Sequence, residues 1–195
     1  MSLFSKSKKP APAPETKASL NLSRLTVAKF DPRWHVYNRF DCDAGPLNGF
    51  IRNKAVKATA RREFAVYVAT LDNSPNVIAY YALQVGSDAV PNKHQMKTTY
   101  LSTYAAFPTV SLAYLAVNRD QKRQGIGQFL LMHAFERVAE IADKAGLFGL
   151  SLQSYNKDST AFYMSLEFAR YGGTDEQPKL IYPLSLIYKL FEYDE

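Results

Sequence analysis

A polar loop that contains two glycines and leads into an amphipathic helix constrains this 195-residue chain more than any other feature. The glycine loop, residues 118–127, follows an apolar run that ends at Val117. From Ile126 to Ala145, hydrophobic residues then recur at steps of three and four, the spacing of one buried helix face. Gly146 lies just beyond, where helices commonly end. The sequence therefore predicts a strand, a loop and a helix in succession.

The two glycines of this loop, Gly125 and Gly127, indicate an anion site. The first N–H groups of a helix have no partner inside it, and the helix dipole adds positive potential there, so a phosphate is a suitable ligand. The spacing differs from that of the nucleotide-hydrolase phosphate loop, and the third glycine of the dinucleotide fingerprint is missing. A Gly-x-Gly pair by itself also fits an ordinary loop before a core helix, so residues further along must decide.

Short apolar runs separated by turn residues predict a mixed α/β domain with a central sheet. We predict strands at residues 25–30, 64–70, 77–85, 110–117, 147–152 and 181–190, the last interrupted by Pro183. One further helix follows the turn-rich segment 40–51 and ends near Ala60, and another runs from its cap at Asn156 to Leu166. The polar residues 86–108 predict a long loop, a kind of segment that is often functional.

Composition and charge indicate a packed globule with a basic leader. Hydrophobic residues make up 47% of the chain, the net charge is +6, and three histidines without metal-ligand spacing give no reason to expect a metal. We expect residues 1–22, which are rich in Lys, Pro, Ala and Ser, to be disordered and residues 23–195 to form a single domain. Since no secretion signal or stretch of about 18 apolar residues exists, we predict a cytoplasmic protein without a membrane partner.

A cluster of positive charges lies on the helix that ends near Ala60. Five basic residues occur within eleven positions, and no acid follows until Glu63; they are Arg52, Lys54, Lys57, Arg61 and Arg62. The cluster fits contacts to nucleic-acid phosphates, and it equally fits an ordinary solvated helix face. A shared face beside the anion site would favour the first interpretation, and scattered positions would favour the second.

From about residue 25 to residue 190, the chain resembles the GNAT superfamily of N-acetyltransferases. The resemblance rests on residues 116–117, on Gly125-Ile126-Gly127, and on residues 161–163 with Phe168. Within the superfamily the chain is most similar to toxin-like enzymes that acetylate the α-amine of aminoacyl-tRNA, on the basis of residues 40–42, Leu47, 50–51, 79–83 and 183–186. This implies the α/β GNAT acyl-CoA N-acyltransferase fold, in which helices flank a central mixed sheet.

The resemblance also implies roles for individual residues, with acetyl-CoA as co-substrate. Tyr163 would protonate the departing CoA thiolate as general acid, and Asn156 would either bond the cofactor or serve only as a helix cap. The pantetheine arm and pyrophosphate would be held by Leu115, Ala116, Val117, Lys122, Arg123, Gln124, Gly125, Ile126, Gly127 and Gln128. The tRNA would contact Arg52, Lys57, Arg61 and Arg62. Further implied partners are a small antitoxin protein and a second copy of the chain in a homodimer.

The chemistry favours an amine of low pKa as acceptor. An α-amine titrates near 8 and a lysine side chain at about 10.4, so without a protein base a far larger fraction of the α-amine is neutral at physiological pH. No histidine or carboxylate stands out in the sequence as such a base. Two alternatives remain open: a GNAT enzyme that acts on a small amine, a peptide N-terminus or a protein lysine, and a non-catalytic acyl-CoA-binding regulatory domain.

Three residues depart from the superfamily pattern. Lys122 stands where Arg or Gln is usual, and it keeps the charge but loses the planar guanidinium. Arg123 stands where Gly is common, so a positive φ there would be strained. Glu167 replaces the usual Gly before Phe168. The substitution at Glu167 puts the turn after the Tyr163 helix in doubt.

Overall fold

The structure, a computed structural model, describes residues 20–89 and 106–191. Within these ranges seven strands form one mixed sheet in the order β1-β2-β3-β4-β5-β7-β6. Only β4 and β5 run parallel; all other neighbours are antiparallel. The strands are β1 (Leu25–Lys29), β2 (Ala65–Leu71), β3 (Ala79–Ala89), β4 (Ala106–Val117), β5 (Gly149–Gln153), β6 (Ala169–Gly173) and β7 (Pro178–Pro183).

Helices cover both faces of this sheet. On one face, α1 (Gly45–Gly49), a π-helical turn (Phe50–Lys54) and α2 (Ala55–Ala60) follow one another, and this segment packs with Phe40 and Tyr80. On the other face lie α3 (Ile126–Ala142), α4 (Lys157–Ser165) and α5 (Leu184–Leu190). Burying apolar area on both faces is the main source of stability for such a layered domain. None of the described helices has the length and apolar character that crossing a membrane requires.

The parallel pair β4 and β5 separates soon after it forms. The two strands pair only at Val110 with Leu150 and at Ser111 with Ser151. Beyond this point β4 keeps its partner β3 but carries a bulge, because the register passes from Leu112 to Tyr114 and leaves Ala113 as the extra residue. The separation opens a cleft at the carboxyl ends of the two strands, where open α/β sheets commonly bind ligands.

The predicted fold class is confirmed, and one predicted strand is wrong. The long helix begins at Ile126 and ends at Ala142, three residues before the expected end. Residues 181–190 do not form one strand, because β7 ends at Pro183 and α5 follows directly. Leu184, Ile187, Tyr188 and Phe191 have helical spacing and pack against the core, a pattern that the prediction overlooked. Strand β6 was not predicted.

Within the described residues, both ends of the predicted long loop are strand, and the last part of the predicted leader packs against the domain. Gly86 pairs with Thr109 and Ala89 with Ala106, so both ends of the segment 86–108 are strand; residues 90–105 lie outside the described residues. Leu20 and Leu22 pack against the core, so residues 20–22 belong to the domain. The rest of the predicted leader, residues 1–19, lies outside the described residues.

Candidate active site

A cleft of about 220 Å³ lies between the carboxyl-terminal half of β4 and the segment that connects β5 to α4. Its lining includes the predicted strand before the glycine loop, Lys122 of that loop, and the predicted helix that carries Tyr163. The β4 wall consists of residues 112–117, and the opposite wall of Gln153, Tyr155, Asn156, Ser159 and Tyr163. The remaining lining residues are Cys42, Ala44, Leu47 and Lys122.

The β4 wall offers a free strand edge. Leu115, Ala116 and Val117 pair with Tyr81, Tyr80 and Ala79 of β3 on one side only. On the other side, β5 pairs with Val110 and Ser111 but with no later residue of β4 in the described part of the chain. Unpaired backbone N–H and C=O groups there can form β-like hydrogen bonds with an extended amide-containing ligand. A pantetheine arm is such a ligand.

The glycine loop turns sharply to open the N-terminus of α3. Gly125 is the N-cap residue, has a left-handed φ of 80°, and forms no side-chain cap hydrogen bond. Arg123 also takes a positive φ, of 61°, so the strain foreseen for this position is present. At Gly127 a Cβ would lie 3.5 Å from the Phe162 ring, so this residue allows α3 and α4 to pack closely. A helix N-terminus without a side-chain cap is suited to bind an anion, as the sequence predicted for this loop.

The side chains of the remaining loop residues point in different directions. Ile126 is buried in the core, Gln128 is exposed, and Gln124 Nε2 is 3.4 Å from the Asp120 carbonyl. Lys122 Nζ donates to the Cys42 carbonyl and the Asp43 carboxylate, at 2.8 Å each. The ammonium is therefore already held by the segment before α1.

Tyr163 lies on α4 with its ring in the cleft wall and only 7% of its surface exposed. Phe162 and Phe168 hold the ring, at centroid distances of 5.1 and 5.3 Å. Burial raises the pKa of Tyr163 above its ordinary value, because the phenolate would lose its hydration. The hydroxyl is therefore protonated at neutral pH, and the same burial makes it a weaker acid than an ordinary tyrosine.

A capping box positions α4. Asn156 Oδ1 accepts a hydrogen bond from the Ser159 amide at 2.9 Å, and Ser159 Oγ accepts one from the Asn156 amide at 2.9 Å. At the other end, Glu167 takes a φ of 67°, and the Phe168 amide bonds the Tyr163 carbonyl at 3.2 Å. The turn that Glu167 put in doubt forms despite the missing glycine. Asn156 lines the cleft, but its side-chain oxygen is committed to the cap.

The described cleft lining contains no histidine or carboxylate side chain. Its titratable groups are Cys42, Tyr114, Lys122, Tyr155 and Tyr163. Burial raises the pKa of the Cys42 thiol, which donates to Asn48 Oδ1 at 3.1 Å. The cleft can therefore donate a proton, but it holds no group suited to remove one from a strongly basic amine.

Sequence reasoning missed Tyr114, Tyr155 and Gln153 as cleft residues. Tyr114 stacks on Phe50 at a centroid distance of 3.8 Å and so connects the cleft to the π-helical turn. All three missed residues lie at or just beyond the carboxyl ends of β4 and β5, where ligand contacts are expected in open α/β sheets. Their position at these strand ends was the feature of the sequence that could have identified them as cleft residues.

The predicted substrate-binding residues do not line the cleft. Arg52 Nε donates to the Phe40 carbonyl at 2.7 Å and thereby holds the chain before α1. Arg61 pairs with Glu63 at 3.6 Å, and Arg62 borders a separate depression on the α3 side of the sheet. Lys57 is exposed. These positions are scattered, the outcome that favours a solvated face or a different acceptor.

The chain is similar to a known family and to individual proteins within it. A model of the acetyltransferase (GNAT) family matches residues 42–168, a range that includes the cleft, the glycine loop and Tyr163. A probable toxin TacT of Sinorhizobium fredii is 26% identical over 133 residues, 67% of this chain and 72% of the relative. A tRNA-acetylating toxin of Mycobacterium tuberculosis is 26% identical over 122 residues, 63% of this chain and 71% of the relative.

Solved structures of the AtaT toxin share the fold. The AtaTR structure bound with acetyl-CoA superimposes with a TM-score of 0.73 at 30% identity, covering 87% of this chain and 99% of the other. AtaT complexed with acetyl-methionyl-tRNAfMet gives a TM-score of 0.74 at 28% identity, covering 86% and 99%.

Proposed function

Because this chain belongs to the GNAT acetyltransferase family, we propose that it transfers the acetyl group of acetyl-CoA to the α-amine of an aminoacyl-tRNA. The observation that carries the proposal is the content of the cleft, which holds a buried tyrosine as acid and no base among the described residues. The relatives named tRNA-acetylating toxin and AtaT, the latter solved with an acetylated aminoacyl-tRNA, support the acceptor class.

Cofactor binding rests on backbone groups. The N–H groups from Arg123 to Gln128 hold the pyrophosphate at the N-terminus of α3, where the helix dipole favours negative charge. The free edge of β4 bonds the pantetheine amides. In this arrangement the thioester lies near the bulge at Ala113, where a backbone N–H that the bulge leaves outside the ladder can polarise the thioester carbonyl.

Transfer needs one acid and a neutral amine. The amine nitrogen attacks the thioester carbon, a C–N bond forms, and the C–S bond breaks as electrons move to sulfur. The Tyr163 hydroxyl donates its proton to the CoA thiolate, the acetylated nitrogen loses its extra proton to solvent, and solvent then reprotonates the tyrosinate. About a fifth of an α-amine with a pKa near 8 is neutral at physiological pH, so the absence of a base in the described cleft is acceptable for this substrate.

A second candidate acceptor is a small amine or a peptide N-terminus. The observation that favours it is the position of the basic side chains, since Arg52 is bonded to the Phe40 carbonyl and none of the four predicted tRNA contacts lines the cleft. A protein lysine fits less well, because its higher pKa calls for a base that the described cleft does not supply. A non-catalytic acyl-CoA-binding role would leave the buried Tyr163 in the cleft wall without a purpose.

One experiment separates these acceptors. The full chain is incubated with radiolabelled acetyl-CoA and bulk charged tRNA, beside uncharged tRNA, a panel of small amines and a peptide with a free N-terminus. We expect label only in the charged tRNA, in a form released when the ester between amino acid and tRNA is hydrolysed. Label confined to small amines or peptide would replace the tRNA proposal with the second candidate, and no transfer at all would favour the non-catalytic role.

The proposed reaction also implies a compartment and partners. Charged tRNA and acetyl-CoA meet in the cytoplasm, where we place this protein. Because its relatives are toxins, a small antitoxin is a further proposed partner, as is a second copy of the chain in a homodimer.

A further inference from the structure

Three residues before α1 connect the acceptor side of the cleft to the glycine loop. We call residues Asp41-Cys42-Asp43 the acidic hook. Cys42 lies in the cleft lining, and Ala44 and Leu47, which follow the hook directly, line the same side. The hook therefore begins this part of the lining, which is the acceptor side in the proposed reaction.

The hook binds the glycine loop at two places. The Arg119 amide donates to the Asp41 carbonyl at 2.8 Å, and the Arg119 guanidinium lies 3.4 Å from the Asp41 carboxylate. Lys122 Nζ donates to the Cys42 carbonyl and to Asp43 Oδ2, each at 2.8 Å. Charge-assisted bonds of this kind are stronger than neutral ones, and here they join segments almost 80 residues apart in sequence.

The hook is equally well held on the side of its own helix. Asn48 Oδ1 accepts from the Cys42 amide at 2.9 Å, and Asn48 Nδ2 donates to Asp41 Oδ1 at 2.8 Å. Asp43 takes a φ of 61°, a conformation that is costly for a residue with a side chain and that persists only where surrounding bonds impose it. The Lys122 ammonium supplies two of those bonds.

We propose that Lys122 is a positioning residue for the acceptor-side wall and does not act as a ligand of the CoA pyrophosphate. A lysine ammonium has three donors, and two of them are used by the hook. The Asp43 carboxylate at 2.8 Å also neutralises its charge, so Lys122 adds little positive potential at the N-terminus of α3. The role as acceptor wall rests on the proposed acetyl transfer, but the statement about the pyrophosphate does not.

A double-mutant cycle tests this assignment. The variants are Lys122→Met, Asp43→Asn and the double variant, with Lys144→Met as a matched control because Lys144 is exposed on another surface. Asparagine tolerates a positive φ, so Asp43→Asn removes the charge without adding backbone strain. For each protein the acetyl-CoA Kd is measured by calorimetry, and KM and kcat for whichever acceptor the wild type uses are measured separately.

We expect acetyl-CoA Kd to change less than twofold in all variants, while acceptor KM rises roughly threefold to tenfold in both single variants. The double variant should be no worse than Lys122→Met, because that variant already removes the ion pair that Asp43→Asn breaks. A tenfold loss of acetyl-CoA affinity in Lys122→Met but not in Asp43→Asn would overturn the proposal and make Lys122 a phosphate ligand.

Unchanged acceptor KM in both single variants would also overturn it. If the wild type acetylates no charged tRNA, the proposed function fails, while the calorimetric measurements still decide whether Lys122 binds the pyrophosphate.

Discussion

The cofactor and acceptor sides that the proposed reaction assigns to the cleft are built in different ways. The cofactor side consists of one continuous stretch, residues 115–128, in which a free strand edge, a glycine loop and a helix N-terminus present backbone groups. The acceptor side is assembled from separate parts: the acidic hook, Leu47 of α1, Tyr114 of β4 and Tyr155 after β5.

This difference shows which kind of ligand contact can be predicted from a sequence. A phosphate held by consecutive backbone amides needs only a local conformation, and the glycine spacing records it. A side-chain wall depends on how distant elements pack, so its members carry no common pattern. The tRNA contacts predicted for four basic residues depend on such packing and stay a prediction; Arg52 donates to the Phe40 carbonyl, and none of the four lines the cleft.

The sharpest test of the chemistry between the two sides is Tyr163→Phe. Removing the hydroxyl should lower kcat roughly 100-fold, since general acids contribute about 10² to 10⁴. Acetyl-CoA Kd should stay within twofold of the wild type, because the ring and its contacts to Phe162 and Phe168 remain. Stopped assays with labelled acetyl-CoA and calorimetry measure the two quantities.

Tyr155→Phe is the matched control, because this tyrosine lines the same cleft but is 44% exposed. It should keep most of the turnover. The pH profile gives a second check: burial raises the pKa of Tyr163, so the acid loses its proton only as the pH rises through that elevated value. The kcat should therefore not fall between about pH 7 and about pH 9. Equal turnover of Tyr163→Phe and wild type would remove the tyrosine as acid.

Gly125→Ala tests whether backbone geometry alone builds the cofactor side. The left-handed φ of 80° costs about 1–2 kcal/mol for a residue with a Cβ, and that Cβ would lie 3.4 Å from Leu22. We expect acetyl-CoA affinity to fall roughly tenfold as the loop amides shift, measured by calorimetry. Gly146→Ala, where a Cβ meets open space, should leave affinity unchanged. Unaltered affinity of Gly125→Ala would contradict the anion site at this helix.

Lys57→Gln and Arg52→Met together test the acceptor side. Lys57 is exposed, so if it contacts RNA phosphates, its loss should raise the KM for charged tRNA about twofold to fivefold. The slope of the logarithm of the binding constant against the logarithm of the salt concentration should also fall in magnitude by about 1. Arg52→Met should instead lower the melting temperature, because it removes the bond to the Phe40 carbonyl. If Lys57→Gln leaves both KM and salt slope at wild-type values, tRNA must approach over another surface.

Arg123→Gly gives the smallest expected effect and separates strain from charge on the cofactor side. With φ at 61°, glycine should relieve backbone strain and raise the free energy of unfolding by up to about 1 kcal/mol, measured by chemical denaturation. If the Arg123 charge also attracts pyrophosphate, acetyl-CoA affinity should fall slightly in the same variant. A less stable protein would show that the Arg123 side chain makes contacts worth more than the strain.

The secondary-structure predictions show the same difference between features set by neighbouring residues and features set by distant ones. The start of α3 at Ile126 and the cap of α4 at Asn156 were predictable, because both depend on residues within one helical turn. The strand predicted for residues 181–190 was wrong. Strand β7 ends at Pro183, and the apolar residues after it form helix α5, which packs on α3. Short apolar runs fit either structure, and only the partner surface decides between them.

The sequence by itself determined the α/β fold class, the glycine loop at the start of α3 and the family to which the chain belongs, because local spacing and backbone conformation encode these features. Only the tertiary structure decided that Lys122 is bonded to the acidic hook, that Tyr163 is buried in the cleft wall, and that the basic residues around α2 lie apart from the cleft. Those positions depend on which distant segments pack together, and packing is a property of the whole chain.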